Sequence, residues 1–213
     1  MQPINRRDFL LSFSSAFAAV AIKPSQAVAI NQDLYLNQAL GIAIKKPSKW
    51  VFQDLRNFAD LKSNQILSDS ISPELELEIM NSEAPLVVFA EASNEGERFK
   101  PSAALYAEHL ELLNHETIDD VIKYEENLSS EILPDYRLIK ATPGVSVNGY
   151  KSIKMETMFT FKTDKISPIS VRNISIITQR HPFIYTLRLF DSPANSMNAQ
   201  SEMSKIVRSI HYS

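Results

Sequence analysis

His109, Glu111, His115, Glu116 and Asp119 put two imidazoles and three carboxylates into one short stretch of chain. Donors of this kind can hold a divalent ion. The spacing falls short of a zinc helix, because His115-Glu116 would need a second histidine at 119, where Asp119 stands. Polar residues at a strand–helix junction also serve simply as solvated surface. His109, His115, Glu116 and Asp119 are therefore the residues to watch for a metal, while the expectation is that none binds.

Gly144-Val145-Ser146-Val147-Asn148-Gly149 is one residue from a nucleophile elbow, since the pattern needs glycine where Asn148 stands. Asn-Gly is instead the signature of a tight hairpin turn. The remaining Ser, His and Asp residues show no order that singles out acyl transfer. The chain has only 4 glycines, and their spacing excludes both standard phosphate-binding loops. It has no cysteine, which removes disulfides, thiolate metal sites and cysteine catalysis. No catalytic residue and no cofactor is assigned, and the motifs lean against an enzyme. A formal net charge of −3 also argues against nucleic acid as a partner.

The N-terminal stretch reads as an address. Asn5-Arg6-Arg7-Asp8-Phe9-Leu10-Leu11 carries the twin-arginine pattern. The apolar run from Phe9 to Ile22 is about 14 residues, shorter than the roughly 20 needed to span a bilayer. Ala27-Val28-Ala29 offers small residues for cleavage, so residues 1–29 are expected to be a signal peptide and Ile30 the first mature residue. Residues 30–213 then form one domain, of formal charge about −5 once Arg6, Arg7, Lys23 and Asp8 are gone. No second apolar run is long enough for a transmembrane segment.

The elements follow from periodicity. Leu34–Asn37 and Ile42–Lys46 form a hairpin turning near Gly41, and Leu86–Ala90 and Ala103–Leu110 are strands. Phe52–Leu67 is expected to be partly helical. Pro73–Met80, where Glu74, Glu76 and Glu78 alternate with apolar residues, fits a strand and a helical turn equally; with Glu83 these acids read as a solvated face. Thr117 opens a helix toward Pro134 with Ile118, Val121, Ile122, Leu128 and Ile132 on one stripe. In Tyr150–Lys162 the residues Ile153, Met155, Phe159 and Phe161 share one face. Ile169–Arg180 is a strand whose phase shifts near Asn173, suggesting a bulge. Phe183–Phe190 is the next strand. Ser192-Pro193 should start a closing helix with Ala199, Met203, Ile206, Val207 and Ile210 as its core stripe. The class is α+β, an antiparallel sheet with helices packed on its faces.

Ile42-Ala43-Ile44-Lys45-Lys46-Pro47-Ser48-Lys49-Trp50 resembles the opening of the PsbP family, where a strand ends in Pro-x-x-Trp. Val147-Asn148-Gly149-Tyr150 before a long strand, the Phe183–Phe190 strand and the closing Val207-Arg208-Ser209-Ile210 look similar too. Residues 51–84 read as an insertion relative to that family. The resemblance implies a PsbP-like α/β/α sandwich. Pro47, Trp50 and Gly149 read as structural anchors, with Trp50, the single tryptophan, holding the first hairpin against the sheet and ligand stacking as its alternative role. The resemblance also implies an exported accessory or binding module with a protein partner, in the periplasm, or in the thylakoid lumen of an oxygenic organism. It would assist assembly or stability of an envelope or photosynthetic complex. A small-ligand or divalent-metal binder, or an enzyme without a local motif, is the alternative.

Overall fold

The computed structural model describes residues 28–55, 84–92, 99–110, 118–163, 166–193 and 196–213. The described residues form two antiparallel sheets and two helices. Strands β1 (Val28–Asn31), β2 (Leu34–Asn37), β3 (Ile42–Lys45) and β11 (His211–Tyr212) form a four-stranded sheet in the order β1-β2-β3-β11. The larger sheet has seven strands: β4 (Trp50–Phe52), β5 (Val87–Glu91), β6 (Ser102–His109), β7 (Arg137–Val147), β8 (Tyr150–Thr163), β9 (Ile166–Arg180) and β10 (Phe183–Asp191). Their order is β4-β5-β6-β10-β9-β8-β7. Helix α1 (Ile118–Ile132) follows β6, and α2 (Ser196–Ser209) follows β10.

The large sheet is apolar on both faces where its central strands lie. Toward the small sheet and α2, Phe89, Leu105, Ile176, Tyr185, Leu187 and Leu189 meet Tyr35, Ile42, Ile44, Met203, Ile206 and Ile210 in one cluster. We call this the inner face. On the outer face Ile153, Met155, Ile177 and Ile184 meet Val121 and Ile122 of α1. The side chains of Ile118, Leu128 and Ile132, expected on the same stripe, lie outside the described residues. The α2 stripe is core, with Ile206 fully buried and Ala199, Met203 and Ile210 nearly so. Each such side chain contributes roughly 1.5–3 kcal/mol.

Several boundaries differ from the sequence expectations. Phe52 ends a strand instead of opening a helix; the rest of Phe52–Leu67 beyond residue 55, like Pro73–Met80 and Glu83, lies outside the described residues. Helix α2 begins at Ser196, three residues beyond Pro193. No bulge occurs at Asn173, whose register runs unbroken to Thr157 on β8 and Phe190 on β10. Its side chain sits among hydroxyls, donating to Ser175 Oγ at 3.1 Å and Thr157 Oγ1 at 3.3 Å. The apparent phase shift arises because β9 is buried on both faces here. The register shifts fall instead between Phe161 and Thr163 on β8, and twice on β7, between Leu138 and Lys140 and between Thr142 and Val145. The expected cleavage point after Ala29 falls inside β1, whose four residues are all exposed.

Turn chemistry sets two of the hairpins. Val147 pairs with Tyr150 across Asn148 (φ 47°) and Gly149 (φ 83°), both left-handed, the geometry Asn-Gly favours. Gly41 (φ 61°) turns β2 into β3, and a Cβ there would lie 2.7 Å from the Ser213 oxygen. The Gly41→Ala variant should therefore lose about 1–2 kcal/mol from the left-handed backbone alone, and more from the crowding. A thermal melt checks this; an unchanged midpoint would mean the turn re-forms without cost.

Candidate functional site

Two of the four metal candidates are described, and they sit on different layers. His109 ends β6 with its ring edge-on to Phe183 at 5.4 Å, on the inner face. Asp119 is exposed in the first turn of α1, the helix that covers the outer face. Among the described residues no group of three or more His, Asp or Glu is placed to hold an ion. His115 and Glu116 lie outside the described residues, as do Arg6 and Arg7. Ser146 is an exposed residue near the end of β7, opposite Lys151 in a strand-to-strand hairpin, not the tip of a strand-to-helix turn. Pro47 accepts the Trp50 N–H at 2.9 Å through its carbonyl, and Trp50 is buried. Gly149 is exposed at its hairpin turn.

Sequence reasoning missed two polar assemblies. The first pins α1 to the sheet. Arg188 Nη2 donates to both Glu125 oxygens, at 2.6 and 2.7 Å, and its guanidinium lies 5.1 Å from the Tyr106 ring centre. The Glu125 carboxylate holds the Arg188 pKa above its ordinary value against the opposing effect of burial. The second assembly clasps β11. Arg180 donates to Leu40 O and Tyr150 OH, both at 3.4 Å, and to Ser213 O. Tyr185 OH donates to Leu40 O. The Tyr212 ring lies 5.2 Å from both Tyr150, edge-on, and Tyr185, tilted.

Burial pushes the Tyr212 phenol up to about 12, with the Thr178 hydroxyl pulling the other way. Burial likewise raises Tyr136 to about 12, helped by the Glu126 and Glu125 carboxylates. The ordinary value is 10.0 in both cases. A raised folded pKa means the folded state keeps its proton after the unfolded chain has lost it. Stability from these groups is complete below pH 10 and falls as pH climbs toward 12. Alkaline unfolding should thus begin above pH 10, with tyrosinate absorbance rising together with loss of secondary structure. Ionisation of every tyrosine before any unfolding would contradict this.

The half of the inner face on β7 and β8 differs from the packed half. Alternation and register place Arg137, Lys140 and Thr142 of β7, and Lys154 and Glu156 of β8, on this side. Arg137 and Lys140 are exposed and the others half-exposed. One strand further in, Arg172 is taken up by buried Asp191 at 2.9 Å. The Gln200 amide oxygen of α2, in the orientation that satisfies both groups, accepts from the Arg172 guanidinium at 3.2 and 3.3 Å. The packed core therefore ends near the β9–β8 line, and a polar, cation-rich shelf begins.

Among solved structures, the PsbP of Synechocystis sp. PCC 6803 matches with a TM-score of 0.54 at 13% identity, over 87% of this chain and 95% of that one. The two chains share a fold. The Ran-binding protein Mog1p of Saccharomyces cerevisiae also matches, at a TM-score of 0.48 and 9% identity, over 86% and 96% of the two chains. LpqN of Mycobacterium tuberculosis matches at 0.45 and 10%, over 79% and 81%. No protein-family model and no curated protein matches the chain. At these identities the likeness concerns the fold alone, which fits the α+β class read from the sequence; the fold itself is functionally permissive. No helix among the described residues is long and apolar enough to cross a membrane.

Proposed function

We propose that this chain is an exported, non-catalytic accessory module that docks on a protein partner and assists the assembly or stability of an envelope or photosynthetic complex. The observation that carries this reading is the split inner face, packed under α2 on one half and solvent-facing with fixed charges on the other. Such a surface, built on rigid strands, suits docking more than chemistry. The fold shared with a cyanobacterial PsbP supports it, since PsbP-like proteins are expected to be accessory subunits or assembly factors. Residues 1–29 serve as the address and residues 30–213 as the single domain, working in the periplasm, or in the thylakoid lumen of an oxygenic organism.

Export has its own test. Replacing Arg6 and Arg7 together with Lys should trap the precursor inside the cell, read by fractionation and by the mass of the mature N-terminus. Normal export of that double variant would rule out the twin-arginine route. For docking, crosslinking in the exported fraction should yield a discrete partner; an uncrosslinked monomer would count against the accessory reading.

A further inference from the structure

We infer that the β7–β8 shelf binds an acidic polypeptide segment, with Arg137, Lys140 and Lys154 meeting its carboxylates. This deepens the docking reading above and rests on it. Lys140 stands opposite Glu156, and the next inner-face pair is Thr142 opposite Lys154, so the two lysines lie diagonally across neighbouring strands. Arg137 lies opposite Met158, beyond the Lys140 pair and on the same side. Among the described residues none of these three cations forms an ion pair, in contrast to Arg172 and Arg188. The shelf thus carries three cations and one acid in a chain whose formal charge is −3. An acidic partner is opposed by the net negative charge of the chain and attracted by this cluster, which favours one orientation as well as binding.

The spacing favours a polypeptide over a lipid surface. Same-face side chains along a strand are about 7 Å apart, which is also the repeat of alternate side chains on an extended ligand. Glu156 sits in the middle of the patch, next to Lys140 across β7. A bilayer presents anions everywhere and would be penalised there, whereas a peptide can place a donor or a small residue opposite it. The large exposed aliphatic of this region, Ile139, lies at a register shift on the edge strand and offers little to insert. The two register shifts and Pro143 also interrupt the outer edge of β7, which has no partner strand among the described residues, so attraction must come from the face and not from an added strand.

The test uses the full chain and two probes: a synthetic glutamate-rich peptide, and vesicles of phosphatidylcholine with phosphatidylglycerol. Wild type should bind the peptide at low salt, more weakly as salt rises. Lys140→Glu combined with Lys154→Glu should weaken binding by about tenfold or more, while Lys123→Glu on the exposed side of α1 should leave it within about twofold. Equal binding by the double variant, or no peptide binding by folded wild type, would overturn the inference, as would stronger binding to the anionic vesicles with the same lysine dependence. Each variant's melt confirms that it is folded. Recovery of a cellular partner that ignores both lysines would remove the acidic chemistry and leave the docking reading intact; absence of any partner would remove the docking reading itself.

Discussion

Trp50→Ala is expected to lower the unfolding free energy by about 3–5 kcal/mol, the usual cost of emptying a large aromatic site. Trp50 is 3% exposed, on a strand that among the described residues pairs with β5 alone. Its ring stands 6.0 Å from Phe89, itself fully buried. β4 has only three residues and, among the described residues, no partner strand on its far side, so the strand itself supplies little to close the gap. Domains are held by about 5–15 kcal/mol, so the loss is a large share of the total. Denaturant unfolding followed by circular dichroism reads it directly. An unchanged midpoint would mean that Trp50 is not part of the core.

Glu125→Ala should cost nearly as much, for a different reason. The variant leaves the Arg188 guanidinium between helix and sheet without its carboxylate, and removing one partner of a buried pair costs about 3–5 kcal/mol. The Arg188 side chain is 30% exposed and that of Glu125 18%, so water recovers part of this and about 2–4 kcal/mol is expected. The double variant Glu125→Ala with Arg188→Met should be less damaged than Glu125→Ala alone, since it leaves no orphaned charge. Additive losses from the two substitutions would show that the pair contributes no coupling.

What the sequence revealed follows from where each signal is stored. The Val147-Asn148-Gly149-Tyr150 turn was readable because left-handed backbone at two successive positions demands particular residues locally. The α2 stripe was readable because its apolar residues recur at helical spacing. Asn173 misled because alternation identifies a strand with one wet face, and β9 is covered on both. The closing strand β11 is two residues long and exists through its pairing with β3, for which sequence holds no local mark. Glu125 and Arg188 lie 63 residues apart. The available hint was a charge at each end of that gap, Arg188 inside an apolar strand and Glu125 one turn beyond Val121 on the buried side of α1. The shelf was hidden for the same reason. Lys140 and Lys154 are neighbours only after β7 and β8 pair with their two register shifts.

Site-specific photocrosslinking from position 142 tests the docking account most directly. A crosslinking residue in place of Thr142, on the shelf opposite Lys154, should give a discrete adduct in the exported fraction, while one in place of Lys123 on α1 should give none. An exported, folded chain that yields no adduct from position 142, or the same adduct from both positions, would contradict docking through this face.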